Sequence, residues 1–339
     1  MATLTLAEAR DLAMAALVAS NVSDANAGTV ADALVAAERD GQGGHGLARV
    51  PAYSAQARAG KVDGHAVPAA DRVAPAVLRV DAGHGFAYPA IDLAIQRLPS
   101  MARGAGLAAA AISRSHHAGV MGAHVERLAR EGLVALMVAN APKAMAPWGG
   151  SKPLYGTNPI AFAVPAGGDD PLVIDLSLSR VARGKVMRAA QRGEPIPRGW
   201  ALDADGNQTT DAKAALAGTM VPAGAVKGAA LALMVELLAA SLTGASHSYE
   251  ASSFFDAEGP PPGTGQFLLA IDPRAAADGF AARVEALLGE IVAQEGARLP
   301  GTSRLASREQ AREQGIAVDD ALLDAIRALA AGEAPAGEA

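Results

Sequence analysis

The sequence predicts an α/β fold, a sheet with helices packed on it, flanked by helical segments from both ends of the chain. Two observations predict it. Between residues 77 and 175, short apolar runs alternate with amphipathic ones, the pattern of strands alternating with helices. Outside that stretch, apolar residues recur at helical spacing, first at Leu12, Ala16 and Val18, then at Ala27, Val30, Leu34 and Val35. The segmentation that follows is helical over 1–75 and 240–339, and α/β over 76–239.

The elements run in order. Thr5-Leu-Ala-Glu8 is a capping-box pattern opening the first helix. Asn21-Val-Ser23 breaks it, and Ser23 caps a second helix. That helix runs into Glu38-Arg-Asp-Gly-Gln-Gly-Gly-His-Gly46, a glycine-dense loop. A third helical piece, 49–59, stops at Gly60. Val77 to Asp81 reads as the first strand, and 89–101 as a helix ended by Gly104 and Gly106. Strand 107–112, helix 118–131 and strand 133–138 follow, then a loop over 140–159 and strands at 160–164 and 172–175. Residues 183–224, rich in Gly, Pro and Asp, read as surface loop. The run 228–242 reads as an apolar core helix, 244–266 as a loop containing Gly259-Pro-Pro-Pro-Gly263, and 267–271 as a strand. Helices are expected over 274–293, 306–314 and 319–331, and a frayed end over 332–339. There is no internal repeat.

Composition narrows the function classes. A chain of 339 residues has room for two domains or one large one, and 50% hydrophobic with 4% aromatic residues means a core of Ala, Val, Leu and Met. A net charge of −6 without charge runs does not advertise nucleic acid or an acidic membrane surface. The absence of cysteine excludes disulfides, thiolate catalysis and Cys-ligated zinc. The N-terminus shows no basic and apolar leader, and the most apolar stretch, 229–240, is too short to span a bilayer. A soluble, cytoplasmic protein is expected.

Chemistry concentrates in two places. Ser113-Arg-Ser-His-His-Ala-Gly-Val-Met-Gly122 sits at a strand-to-helix junction, where free N–H groups can bind an anion or polar ligand. Adjacent side chains at a turn point apart, so at most one of His116 and His117 is expected to face a substrate. His124 follows at a spacing that does not suit a metal pair, and is expected to be solvated. The second place is Gly43-Gly-His-Gly46 with Arg49 beyond it. A helix beginning after His45 would stack His45, Arg49 and Tyr53 on one face, as a carboxylate site would require. An exposed histidine beside a surface ion pair is the competing possibility. Gly104-Ala-Gly-Leu-Ala-Ala109 resembles a dinucleotide fingerprint, but a helix precedes it and a strand follows, so a simple Rossmann fold is not predicted. Tyr155-Gly-Thr-Asn-Pro159, Asp175, Gly184-Lys185, Lys227-Gly228 and the turn Arg298 to Arg304 are weaker signals. Together they point to a phosphorylated cofactor held by dispersed loops.

With these residues in view, the chain resembles the malate/L-lactate/L-sulfolactate dehydrogenase family, which also contains ureidoglycolate dehydrogenase and the piperideine/pyrroline-2-carboxylate reductases. The likeness runs from Ala37-Glu-Arg-Asp-Gly41 to Arg298-Leu-Pro-Gly301, through Gly44-His-Gly-x-x-Arg49, Ser115-His-His117, Gly156-Thr-Asn-Pro159, Gly184-Lys185 and Lys227-Gly228. Ser248-Tyr-Glu-Ala-Ser-Ser-Phe and Pro262-Gly-Thr-Gly-Gln266 look most like the sulfolactate branch.

The resemblance implies a homodimer with a mixed sheet in a sulfolactate-dehydrogenase-like, non-Rossmann fold, and an NAD(P)H-dependent interconversion of 2-oxo and 2-hydroxy acids. NAD and NADP stay open, and 76–239 becomes the cofactor domain. His45 and His117 match the family's proton-exchanging histidines and Arg49 its carboxylate ligand. Thr157 matches a substrate contact of the family; apart from the resemblance, helical spacing adds Tyr53 as an expected substrate contact, and Lys143 is expected as a second cation for a dianionic substrate. Cofactor contacts are expected from His117, Ala118, Gly119, Val120, Met121, Asp175, Leu176, Ser177, Lys185, Lys227, Gly228, Arg298, Pro300, Gly301 and Arg304. Ketimine reductases of the family place a serine where this chain has Gly44 and an aspartate where it has Lys185, which lowers the ketimine alternative. A non-catalytic binding protein of the same fold has only Gly44 in its favour.

Overall fold

A computed structural model describes residues 1–168 and 170–333, so the fraying expected of 332–339 falls almost wholly outside the described residues. Its centre is a seven-stranded sheet in the spatial order Ala69–Ala74, Val77–Asp81, Leu107–Ser115, Thr264–Ile271, Val134–Ala139, Ile160–Val164, Leu172–Leu176. Every neighbouring pair is antiparallel except Val77–Asp81 with Leu107–Ser115. A parallel pair needs a crossover, and helix Ala87–Ala105 supplies it. The sheet is therefore mixed, as expected of a non-Rossmann α/β fold.

Its middle strand comes from the far end of the sequence. Thr264–Ile271 pairs on both sides, Leu268 opposite Ala110 and Met137, and buries Leu268 and Ala270 completely. The segmentation at residue 239 therefore does not divide sheet from helices in space. The strand itself was predicted; its central place depends on partners about 130 to 160 residues earlier, which no local pattern encodes.

Three apolar clusters hold the fold. Helices Ala87–Ala105 and Met121–Arg130 lay Ile91, Leu98, Val125 and Leu128 against Ile112, Leu268 and a floor of strand alanines. Helices Leu6–Val18, Asp24–Arg39, Val50–Arg58 and Asp320–Ala330 pack around Leu17, Leu34, Tyr53 and Ile326. The third cluster, with Met145, Val186 and Val235, lies under 183–239.

That last segment departs from expectation. In place of loop, 183–224 contains helices Arg183–Arg192 and Ala212–Ala217 and a small sheet of Ala201–Leu202, Gln208–Thr209 and Thr219–Met220. Two-residue strands carry no readable period, and Arg183–Arg192 buries only Val186. The terminal pair Ala2–Leu4 with Ile316–Val318 was too short to be read for the same reason. The apolar helix runs Val226–Glu236 and continues as a π-helical turn, Leu237–Ser241. It is a core element on one side only, because Leu231, Leu233, Met234, Leu237 and Leu242 are exposed. No helix among the described residues is long and apolar enough to cross a membrane.

Candidate active site

Several segments converge on one cleft of about 880 Å³. They are the turn after helix Asp24–Arg39, the junction after strand Leu107–Ser115, the turn after Val134–Ala139, the end of Leu172–Leu176 with the start of Arg183–Arg192, and the loop carrying Phe254 and Phe255.

The turn holding His45 is wrapped around a carboxylate. Leu47 N–H donates to Glu38 Oε1 at 2.8 Å, and a Cβ on Gly46 would sit 2.5 Å from that oxygen. Burial raises the Glu38 carboxyl, and the Leu47 N–H opposes the rise. Arg49 Nε donates to Gly44 O at 2.9 Å, and its guanidinium lies 4.6 Å from the centre of the Phe255 ring. The chain makes 3-10 turns at Gly43–His45 and Leu47–Arg49 before the helix begins at Val50. His45, Arg49 and Tyr53 therefore do not stack on one helix face, as the spacing predicted.

The structure brings His45 and His117 together. His45 Nδ1 lies 3.2 Å from His117 Nε2, with the rings stacked 5.1 Å apart. On the other side of His117, Nδ1 meets the Tyr53 hydroxyl at 2.6 Å, and Tyr53 meets Tyr88 at 3.2 Å. Burial, with the Arg49 charge, pushes His45 down to about 4. Burial, Arg49 and the neighbouring histidines push His117 well below its ordinary value. Both rings are neutral near pH 7.

Their neighbours are structural. His116 is buried with neither ring nitrogen hydrogen-bonded, enclosed by Tyr53, Phe86 and Phe254, and burial with Lys61 and Arg49 pushes it down to about 3. His124, expected to be solvated, is buried; its ring nitrogen bonds Ala118 O at 2.9 Å and ties the helix to the loop carrying His117. Among the described residues no group of side chains could hold a metal.

Of the other expected residues, Lys143, Thr157, Ala118 to Met121, Asp175 to Ser177 and Lys185 line the cleft. Lys143 is held by its backbone, its N–H on Ser248 O and its carbonyl accepting from Arg183. Asp175 accepts from Gly122 N–H at 2.7 Å; burial raises its carboxyl, and Gly122 and Arg304 oppose the rise. Tyr53, Lys227, Gly228, Arg298, Pro300, Gly301 and Arg304 do not line it. Tyr53 is wholly buried behind His117. Gly228 is a packing glycine, since a Cβ there would lie 1.9 Å from Ala223 O. Arg304 sits in a buried ion cluster with Glu126, Asp40 and Arg308. That cluster fastens the end of helix Asp24–Arg39, and so the His45 turn, to helices Met121–Arg130 and Thr302–Gln314.

Arg188, one of three arginines (with Arg192 and Arg304) that the sequence offers for a 2′-phosphate, also lines the cleft; sequence reasoning passed over Arg183, Asn140, Phe254 and Phe255 as site residues. Two of the chain's six phenylalanines side by side in a Gly/Pro/Ser loop were a readable signal; Arg183 was not separable from surface charge. In the cleft, Arg49, Lys143, Arg183, Lys185 and Arg188 stand against Asp175. None of the five is ion-paired among the described residues. Unpaired cations around a large cleft fit a phosphorylated dinucleotide beside an anionic substrate.

Comparison with known proteins agrees. The malate/L-lactate dehydrogenase family profile matches residues 4–327. The chain belongs to the malate/L-lactate dehydrogenase family. As a member it is an oxidoreductase that interconverts 2-oxo and 2-hydroxy acids with a nicotinamide dinucleotide. It is 57% identical over 327 residues, 96% of this chain and 98% of the relative, to a (2R)-3-sulfolactate dehydrogenase (NADP(+)) of Chromohalobacter salexigens. The Δ1-piperideine-2-carboxylate reductase of Pseudomonas syringae pv. tomato superposes with a TM-score of 0.91 at 40% identity, covering 97% of this chain and all of that one. The sulfolactate dehydrogenase of Methanocaldococcus jannaschii does so with 0.88 at 27%, covering 97% and 96%.

Proposed function

We propose that this family member is an NADP-linked dehydrogenase of a dianionic 2-hydroxy acid of the sulfolactate or malate type. The observation that carries the proposal is the cleft's charge: Arg49 beside His45, with Lys143 on the turn after Val134–Ala139 and Arg183, which donates to the Lys143 carbonyl, at the start of helix Arg183–Arg192. One cation for a carboxylate and a second for a sulfonate or second carboxylate match such a substrate, and the Chromohalobacter relative acts on 3-sulfolactate.

The chain's own groups divide the work. Arg49, pinned through Nε and covered by Phe255, presents the rest of its fork to the C1 carboxylate. His45, neutral at pH 7, holds an N–H or a lone pair toward the C2 oxygen, depending on the direction of reaction. Phe254 and Phe255 exclude water from this end of the cleft. The nicotinamide, when bound, supplies or takes the hydride at C2. His117 to Met121, Asp175 to Ser177 and Lys185 are the residues we assign to holding the cofactor, with Arg188 the cation for a 2′-phosphate. Oriented binding of this kind contributes much of the rate.

We further propose a cytoplasmic homodimer. The exposed stripe Leu231, Met234, Leu237 and Leu242 on one helix supports a second copy as its cover, and the absence of cysteine supports a reducing compartment. The test of function is oxidation of NADPH and NADH with 3-sulfopyruvate, oxaloacetate, pyruvate and piperideine-2-carboxylate. The proposal loses if none is reduced, or if the cyclic imine is the best substrate.

A further inference from the structure

The hydrogen-bonded row behind the cleft has a direction. Among the described residues the buried Tyr88 hydroxyl has one partner, Tyr53 Oη. Tyr53 Oη has a second, His117 Nδ1, and His117 Nε2 meets His45 Nδ1. Four groups share three hydrogen bonds, so all the protons point the same way. Were His45 Nδ1 the donor, His117 would donate from Nδ1 to Tyr53, and Tyr53 would donate to Tyr88. The Tyr88 proton would then be buried without an acceptor, which is costly. The opposite sense leaves no buried proton without an acceptor. Tyr88 donates to Tyr53, Tyr53 to His117 Nδ1, and His117 Nε2–H to His45 Nδ1. The remaining N–H is then His45 Nε2, on a side chain that lines the cleft.

We propose that this row is a proton relay with one resting orientation, in which Tyr53, two imidazoles behind the substrate, gives up its proton when a 2-oxo acid is reduced and recovers it when a 2-hydroxy acid is oxidised. The inference rests on the dehydrogenase activity. As C2 is reduced, its oxygen takes the His45 Nε2 proton, His45 Nδ1 takes that of His117 Nε2, and His117 Nδ1 takes that of Tyr53. Both imidazoles end neutral with their protons on the other nitrogen, and the negative charge rests on the Tyr53 oxygen. An alkoxide is a stronger base than a phenolate, so the transfer runs downhill. After product leaves, a proton from water at His45 Nε2 resets the row.

The surroundings select Tyr53 over Tyr88. The charged and titratable groups facing it are Arg49, His116, His117 and Tyr88, with Lys61 beyond His116. Burial raises both phenols. Arg49 and the Tyr88 hydroxyl draw Tyr53 back down, whereas Tyr53 raises Tyr88 further. Tyr88 thus keeps its proton and donates it to the phenolate. A Cβ on Gly119 would lie 2.6 Å from the Tyr88 oxygen, so glycine is what allows that hydroxyl its place. Tyr53 and Tyr88 act through the histidines and are positioning residues.

Two arms test the relay. NMR of labelled histidine nitrogens in the free, full-length protein reads the tautomers without turnover. Nε2–H is expected on both His45 and His117, with the preference at His117 lost in Tyr53→Phe; Nδ1–H on wild-type His117 overturns the proposal. In the kinetic arm, kcat for oxidation should rise with pH into the range of a phenol. Tyr53→Phe should lower it by about 100-fold and flatten that rise with little change in KM. Tyr88→Phe should keep the rise but move it to higher pH. A wild-type pH profile in Tyr53→Phe contradicts the relay. If no 2-hydroxy acid turns over, the dehydrogenase reading fails, and the tautomers alone then decide the direction of the row.

Discussion

His45 and His117 form one unit: their rings stack 15° from parallel and are joined Nδ1 to Nε2 at 3.2 Å, though 72 residues separate them. Each holds the other's tautomer, so a change at either disturbs both.

His45→Gln should therefore lower kcat by about 10²- to 10⁴-fold, the usual contribution of a positioned acid or base, with a much smaller change in KM. His117→Gln should fall in the same direction, because His45 then loses its Nδ1 partner. Steady-state kinetics checks both; near wild-type kcat in the pair would remove the proposed proton path.

Arg49→Lys tests the carboxylate clamp. Lysine keeps the charge but loses the planar fork, the bond to Gly44 and the stacking on Phe255. We expect kcat/KM to drop about 100-fold, mostly through KM, since a misplaced substrate costs about that much.

Lys143→Ala separates substrates instead of abolishing turnover. KM for 3-sulfopyruvate or oxaloacetate should rise about tenfold, the loss of one charge-assisted contact, while KM for pyruvate stays nearly fixed. Parallel changes for all three would place Lys143 on the cofactor or the backbone instead.

The sequence was most informative where chemistry needs rare residues. Two adjacent histidines, and a glycine-bounded histidine with Arg49 beyond it, marked both halves of the cleft. What stayed hidden was how they meet. Tyr53 was assigned to the substrate by helical spacing, but the turns at Gly43–His45 and Leu47–Arg49 rotate it behind His117. Tyr88 gave no signal, because a tyrosine at a helix start is indistinguishable from core packing. Arg304 looked like a phosphate ligand in a glycine turn, yet Glu126 and Asp40 claim it from distant helices. The strand alternation was legible, while the insertion of Thr264–Ile271 between Leu107–Ser115 and Val134–Ala139 depends on contacts no window spans.

Acid should destabilise the protein over two pH ranges. The unfolded chain takes up protons on His45 and His116 near their ordinary value of 6.5, whereas the folded pair resists to about 4 and about 3. Their contribution is present above pH 6.5 and is lost as pH falls toward those folded values. Burial pushes Glu126 up, but Arg308, Arg130 and Arg304 outweigh it and hold the carboxyl at about 2 against an ordinary 4.5. Its contribution is present above 4.5 and is lost as pH falls toward 2. The Tm should thus begin to fall below about 6.5 and fall further below about 4.5. Arg308→Met strips Glu126 and Asp40 of their shared partner and should cost about 3–5 kcal/mol at pH 7. Thermal unfolding across pH checks both; a flat Tm from pH 7 to 5 would contradict the neutral histidines.

The most direct measurement of the central claim is kcat/KM for 3-sulfopyruvate against pyruvate with NADPH in the wild-type protein. A cleft with Arg49 for the carboxylate and Lys143 for a second anion predicts a preference of at least about tenfold for 3-sulfopyruvate, one charged contact's worth. Equal values, or a preference for pyruvate, would contradict it.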